Sequence, residues 1–200
     1  MYYTRIDGAS FEGADFRNIH LDEIYRDAPN LQEPLRQVWL HRVREQLDSA
    51  MDKSQSNAGK KRSLESLAVS ILDGIPGLQV QSRDKRRKTS EVDLIVQNRS
   101  SLLVAAGLAG PIFVECKNVK GPVSAKDVRD FIGKLPPNSI GIVVTTDGLS
   151  RDAEGEMREH NSEKGVRLLF WNHSDLERIA NGEETPENLF VERYYYALGL

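Results

Sequence analysis

The segment Pro111-Ile112-Phe113-Val114-Glu115-Cys116-Lys117 decides the fold class, because a short apolar run ends there in two charged side chains. An apolar run of this length is typical of a buried β-strand. Side chains alternate between the two faces of a sheet, so Glu115 and Lys117 should share one face while Cys116 occupies the other. We therefore expect a buried strand with a charged pair at its end.

A second acid interrupts an earlier apolar run, Val92-Asp93-Leu94-Ile95-Val96. Burying an unpaired charge is costly, so an isolated acid in such a run indicates a specific role. If the two runs are neighbouring strands, Asp93, Glu115 and Lys117 meet at a sheet edge and form a site for Mg²⁺ and phosphate. The alternative is a Glu115–Lys117 pair at a solvated strand end, with Asp93 bound to a neighbouring turn. Acid-x-lysine is common by chance, so the interpretation depends on its placement.

The composition indicates an ordinary soluble globular protein. With 200 residues, 39% hydrophobic and 28% charged, the chain suits one domain with a small appendage. Cys116 is the only cysteine, which excludes a disulfide framework and a cysteine-based zinc cluster. There is no apolar run of membrane-spanning length and no secretory signal pattern, so we expect a cytoplasmic protein without a membrane partner.

The charge is unevenly distributed along the chain. A net charge of −3 argues against strong nonspecific binding of nucleic acid by the whole surface. The run from Arg83 to Lys88 nevertheless combines five basic residues with one aspartate and immediately precedes the strand of Asp93. It is either a solvated loop or a contact for a phosphate backbone beside the site. The candidate contacts for nucleic acid are Lys85, Arg86, Arg87, Lys88 and Lys120.

The N-terminal part of the chain predicts two helices. Apolar residues spaced four apart predict a helix over about 31–51, with Val38 widening its stripe. Residues 54–59 have the composition of a linker, and a second helix follows over about 63–73. Glu65 lies at the border of the second stripe, where its carboxylate can reach the sheet edge. The alternative is a surface glutamate in the first turn of a helix.

The rest of the chain alternates between strand and helix patterns. Strands are predicted at 78–81, 91–97, 112–117, 139–146 and 166–171, and the connection 98–110 holds either a short helix or an extra strand. Ser124 with Asp127, and Ser174 with Glu177, predict capping boxes that open two of the later helices. A further helix begins near Ser150. This order describes an α/β domain with a mixed sheet.

At this point the chain resembles the PD-(D/E)XK, or restriction-endonuclease-like, nuclease superfamily over roughly residues 60–182. Glu65 matches the acid of the first core helix, Asp93 the first acid of the motif, and Glu115-Cys116-Lys117 its (D/E)-x-K half. The later stretch Gly-Ile-Val-Val-Thr-Thr-Asp-Gly-Leu-Ser is similar to the Mrr-like branch. The chain departs from the pattern in three ways: Val92 stands where proline is usual, Mrr-type sites often carry glutamine in place of Glu115, and the N-terminus shows no clear winged helix.

The resemblance implies a restriction-endonuclease-like core, with a central mixed sheet flanked by helices and a small helical N-terminal extension. It divides the chain into an extension at 1–58, a core at 59–185 and a C-terminal tail at 186–200. It also implies that Asp93, Glu115 and the backbone carbonyl of Cys116 hold Mg²⁺, for which Mn²⁺ substitutes. Glu65 would bind through water or help hold a second cation.

Glu65, Asp93, Glu115 and Lys117 are thus the expected catalytic residues. Lys117 would hold the attacking water or stabilise charge on the phosphorus, and the products implied are a 5′-phosphate and a 3′-hydroxyl. The leading hypothesis is a Mg²⁺-dependent DNA endonuclease acting in defence against foreign DNA. Two alternatives stay open: a noncatalytic nucleic-acid-binding or assembly module on the same fold, and a repair or junction-resolving nuclease.

The expected macromolecular partner is DNA. Cutting both strands needs two active sites and hence a homodimer. The net negative charge and the small N-terminal region argue for a protein partner in target recognition. The helix at 31–51 and Tyr194-Tyr195-Tyr196 are candidate contact surfaces, although both could equally pack on their own domain.

Overall fold

A computed structural model describes residues 32–87, 90–118, 120–162 and 167–199 of the chain. In the described part the elements follow one another as α1 (Gln32–Met51), α2 (Asn57–Asp73), β1 (Leu78–Arg87), β2 (Ser90–Asn98), α3 (Ser101–Ala105), β3 (Ile112–Lys117), α4 (Ala125–Ile132), β4 (Ile140–Thr145), α5 (Arg151–Ser162), β5 (Arg167–Trp171), α6 (His173–Ala180) and α7 (Pro186–Ala197).

The strands form one mixed sheet in the order β1-β2-β3-β4-β5. The strand β2 is antiparallel to both of its neighbours, β1 and β3, whereas β3, β4 and β5 run parallel. The parallel strands are connected through α4 and α5, as parallel neighbours require. The predicted α/β fold with a mixed sheet is therefore confirmed.

Helices cover both faces of the sheet and define two hydrophobic clusters. The larger cluster joins α1, α2, α6 and α7 to one face, and the smaller joins α4 and α5 to the other. Ile112, Val114 and Cys116 belong to the larger cluster and Phe113 to the smaller, which is the alternation predicted for this strand. A strand with both faces covered is apolar on both sides, so a charge within it lies close to the core.

Gly141 in β4 allows α4 to approach the sheet closely. A Cβ atom at this position would lie 2.7 Å from Leu135 and 3.1 Å from Phe131, two residues of α4 and the turn that follows it. The absence of a side chain therefore sets the spacing between this helix and the sheet.

Two predicted boundaries near the site are wrong. Residues 54–59 are not a linker throughout, because α2 begins at Asn57 with Ser56 as its N-cap. The basic run from Arg83 to Arg87 is not a loop, because it belongs to β1 and pairs with β2. Lys88 lies outside the described residues. Local composition favoured a loop in both cases, but helix capping and strand pairing extend the regular structure.

Other predictions differ in detail. The connection 98–110 contains the short helix α3, which resolves the alternative left open by the sequence. The capping box of α6 is formed by Asn172 and Asp175, not by Ser174 and Glu177, so the helix begins earlier than predicted. Val38 is 39% exposed and does not widen the buried stripe of α1.

The first and last described helices pack on the common core. Val43 and Leu47 of α1 are fully buried, as are Leu189 and Phe190 of α7. The division into an extension, a core and a tail stays a prediction, although both end helices share one hydrophobic cluster with the sheet. In the described ranges, every helix is too short or too polar to cross a membrane.

Candidate active site

Asp93 and Glu115 are buried carboxylates on the neighbouring strands β2 and β3, with exposed fractions of 6% and 7%. The backbones of these strands pair as far as Leu94 and Val114. Beyond this pair, the backbone N–H of Cys116 donates to Asp93 Oδ2 at 2.7 Å. This bond holds the Asp93 side chain at the end of β3.

Glu115 is bound by two lysines. The Nζ of Lys117 lies 3.1 Å from Glu115 Oε1, and the Nζ of Lys134 lies 3.3 Å from Oε2. The pair of Glu115 and Lys117 therefore exists, but at a buried position and not at a solvated strand end. A buried carboxylate needs such partners because desolvation of the charge is costly.

Lys117 also reaches α4, where its Nζ lies 3.4 Å from Asp127 Oδ1. Burial lowers the pKa of Lys117, but the charge and hydrogen bond of Glu115, followed by those of Asp127, outweigh it and raise the pKa overall. Lys117 is thus a protonated ammonium at neutral pH. It can stabilise negative charge, and it is poorly suited to accept a proton.

Asp93 is bound by Lys61, a residue that the sequence analysis did not select. Lys61 Nζ lies 2.7 Å from Asp93 Oδ1 and 3.7 Å from Glu65 Oε1, one helical turn away on α2. The structure thereby links Glu65 to Asp93 through one ammonium group. The spacing of four residues between Lys61 and Glu65 is a signal that sequence reasoning could have used.

Asn118 ties the end of β3 to the helices around the site. Its Nδ2 donates to the backbone carbonyls of Ala50 at 2.9 Å and Lys60 at 3.1 Å, and its Oδ1 accepts from Thr146 at 3.1 Å. The start of α2, which carries Lys61, is therefore fixed relative to the strand that carries Glu115. We infer that Asn118 is a positioning residue, and its place directly after the motif was the available signal.

The structure joins the predicted residues in two groups. Asp93 and Glu65 share Lys61 from α2, whereas Glu115 binds Lys117 and Lys134, the latter from the segment after α4. Within the described ranges, no three Asp, Glu, His or Cys side chains are gathered closely enough to hold a metal ion by themselves. A cation at this edge would therefore also need backbone or water oxygens.

The side chain of Cys116 points into the larger core cluster. Burial raises the pKa of its thiol well above 9.0, and the nearby charges of Asp93, Glu65 and Glu115 raise it further. The thiol is therefore neutral and buried among apolar side chains, so a role for Cys116 in binding a cation must come from its backbone carbonyl.

Three of the candidate nucleic-acid contacts lie in the strand that pairs with β2. Lys85, Arg86 and Arg87 belong to the β1–β2 hairpin, where Lys85 pairs with Val92, the neighbour of Asp93. Lys120 is exposed three residues beyond Lys117. The basic run therefore lies alongside β2, the strand that carries Asp93.

A comparison of the sequence with protein families agrees with the observed fold. The model of the Mrr_cat family, described as a restriction endonuclease, matches residues 58–179, which is more than half of the chain and includes all four predicted catalytic residues. The chain belongs to this restriction endonuclease family. The chain is therefore a member of the nucleases with a restriction-endonuclease-like fold. The predicted resemblance to the Mrr-like branch is confirmed.

Three solved structures resemble the chain. The MspJI restriction endonuclease, in complex with a 27-mer oligonucleotide, is 21% identical with a TM-score of 0.42 over 70% of this chain and 30% of its own. The DNA modification-dependent restriction endonuclease AspBHI is 16% identical with a TM-score of 0.46 over 84% and 41%. SfsA of Pyrococcus furiosus, in complex with Ca²⁺, is 14% identical with a TM-score of 0.34 over 57% and 58%.

The chain thus spans less than half the length of the two restriction endonucleases that it resembles. No curated protein matches the sequence.

Proposed function

We propose that this chain is a divalent-metal-dependent DNA endonuclease and that Asp93, Glu115, Lys117 and Glu65 form its active site. The observation that carries the proposal is a pair of buried carboxylates on adjacent strands, each bound by lysine ammonium groups, inside the segment matched by the nuclease family. A sheet edge that holds both acids and ammonium groups can bind a cation and a phosphate together.

The donor atoms suit a hard divalent cation such as Mg²⁺, with Mn²⁺ as a substitute. Asp93 and Glu115 offer carboxylate oxygens, the backbone carbonyl of Cys116 offers a third oxygen, and Glu65 would act through water or a second ion. Asp93 Oδ1 already binds a positive charge, the ammonium of Lys61, which fits a position suited to cations. When bound, the metal ion would polarise the scissile phosphate and lower the pKa of a water molecule.

The residues of the chain would stabilise the charge that develops during the reaction and position the group that does so. Lys117, protonated at neutral pH, stabilises the negative charge that grows on the phosphate as a water oxygen attacks phosphorus. The P–O3′ bond breaks, the proton lost by the water goes to solvent, and the departing 3′ oxygen takes up a proton from solvent. Glu115 and Asp127 hold the ammonium of Lys117 in place at 3.1 and 3.4 Å. The products are a 5′-phosphate and a 3′-hydroxyl.

DNA would approach along the β1–β2 hairpin. Lys85, Arg86, Arg87 and Lys88, with Lys120, supply positive charge next to the strand of Asp93, and such charge binds the phosphate backbone without reading its sequence. We further propose that the activity serves defence against foreign DNA. A homodimer would bring two active sites to the two strands, and a protein partner or further domain would supply target recognition.

The decisive experiment measures cleavage of supercoiled plasmid DNA by the purified chain, with Mg²⁺, with Mn²⁺ and with chelator. We expect nicking or cutting with either metal, and a loss on the order of a hundredfold or more in Asp93→Asn and in Lys117→Met. Lys126→Met and Asp130→Asn serve as matched controls, because these residues form an exposed pair on α4 and should leave cleavage unchanged.

Unchanged cleavage in folded Asp93→Asn and Lys117→Met proteins would refute the assignment of the site. DNA binding without cleavage under every metal condition would instead favour a noncatalytic module. Preference for branched over linear duplexes would indicate a junction-resolving nuclease.

A further inference from the structure

The ammonium of Lys61 lies at the one carboxylate oxygen of Asp93 that the backbone leaves available. Asp93 Oδ2 accepts the hydrogen bond of Cys116 at 2.7 Å, and Oδ1 accepts Lys61 at the same distance. A cation that binds Asp93 through Oδ1 therefore meets the Lys61 ammonium at that oxygen. The two positive charges would lie a few ångströms apart in a poorly hydrated place, where like charges repel strongly.

The same ammonium contacts two of the acids proposed as metal ligands, Asp93 at 2.7 Å and Glu65 at 3.7 Å. A lysine paired with two carboxylates carries a positive charge at neutral pH. It supplies part of the positive charge that three acidic side chains at one edge require in the absence of a metal ion.

The side chain of Lys61 can also move away from Asp93. Its side chain is 50% exposed, whereas that of Asp93 is 8% exposed. A lysine on the first turns of a helix can swing its long side chain into water without disturbing the core. Asp93 cannot move in the same way, because its other oxygen is fixed to β3.

We propose that Lys61 is a built-in counter-cation, which occupies Asp93 in the metal-free protein and is displaced when a divalent cation binds. The inference rests on the proposed function, because it assumes that Asp93 is a metal ligand. Lys61 then stabilises the empty site and lowers its affinity for metal. The displaced ammonium is left at the mouth of the site, where a phosphodiester of the substrate would lie.

The test combines two measurements that do not depend on cleavage. Isothermal titration calorimetry with Mn²⁺ compares the full chain with Lys61→Met and Lys61→Gln, and we expect roughly three- to tenfold tighter binding in both variants. Thermal unfolding in chelator should give a lower Tm for both variants than for the wild type. Adding Mn²⁺ should raise the Tm of the variants more than that of the wild type.

Arg62→Met is the matched control, because Arg62 is the exposed next residue on the same helix and should change neither Mn²⁺ affinity nor Tm. Asp93→Asn should abolish the titration in every background. Equal or weaker Mn²⁺ binding in both Lys61 variants would overturn the inference, while a wild type that still binds Mn²⁺ through Asp93 and cleaves DNA would leave the proposed function intact. A wild type without Asp93-dependent binding and without cleavage would refute both.

Discussion

At the scale of single residues, the candidate site is a balance of buried charges. Glu115 is bound by Lys117 and Lys134, and Asp93 by Lys61 and a backbone N–H. A buried ion pair often adds little net stability, but removing one partner leaves the other uncompensated. The lysines therefore supply opposite charge at buried positions where an unpaired carboxylate would be unfavourable.

Lys134→Met should lower the free energy of unfolding by about 1–2 kcal/mol, because Glu115 loses one of its two ammonium partners in a buried setting. Chemical denaturation at neutral pH in the absence of metal measures this change. Lys126→Met is the control, since Lys126 pairs with Asp130 at the surface and its loss should not be detectable. Equal stability of the wild type and the Lys134 variant would show that Lys117 alone compensates Glu115.

At the scale of elements, the capping residue Asp127 of α4 also contacts the candidate site. Its capping box is complete: the Ser124 side chain accepts from the Asp127 N–H at 3.2 Å, and Asp127 Oδ2 accepts from the Ser124 N–H at 3.2 Å. The other oxygen of Asp127 contacts Lys117. The first turn of one helix thereby fixes the proposed catalytic ammonium.

The pKa of Asp127 is lowered from 3.8, first by the hydrogen bond of Ser124 and also by Lys117. A carboxyl group with a lowered pKa in the folded state adds stability above its unfolded pKa and loses it as the pH falls through the folded value. Asp127→Asn should therefore reduce stability at neutral pH, and its difference from the wild type should shrink between about pH 5 and about pH 2.

Denaturation curves over this pH range measure the difference. Asp152→Asn is the control, because Asp152 is an exposed aspartate in the first turn of α5. A difference that stays constant with pH would show that Asp127 acts through capping geometry and not through its charge.

At the scale of the whole molecule, the C-terminal residues complete the core. Phe190 of α7 packs edge-on against Trp171 with ring centroids 6.1 Å apart, and both side chains are fully buried. Arg193 of the same helix pairs with Asp175, a fully buried acid at the start of α6. The last helix thus closes one face of the sheet next to its edge strand.

Phe190→Ala should lower the free energy of unfolding by about 3–5 kcal/mol, because it leaves a cavity in a closely packed region. Tyr195→Ala, at a position 46% exposed on the same helix, should cost less than about 1 kcal/mol. Denaturant unfolding monitored by fluorescence measures both variants. If a chain ending at residue 185 were as stable as the full chain, the last helix would be dispensable, and the predicted division into core and tail would be supported.

Much of the fold was readable from the sequence because its signals are local. The apolar runs around Asp93 and Glu115 predicted neighbouring strands, and Ser124 with Asp127 predicted the start of α4 at the correct residue. The basic run at 83–87 was misread as a loop, because charged residues form a strand only when a partner such as β2 pairs with their backbone.

The sequence by itself determined the order of the five strands, the alternation along β3 and the acids and lysine of the motif, because these follow from spacing along one segment. Tertiary structure alone decided which cations meet those acids. Lys61 and Lys134 lie 32 residues before Asp93 and 19 residues after Glu115, so only packing of α2 and α4 on the sheet brings them there. Buried charged groups pair with the opposite charges that lie nearest in space, and packing of the core sets those distances.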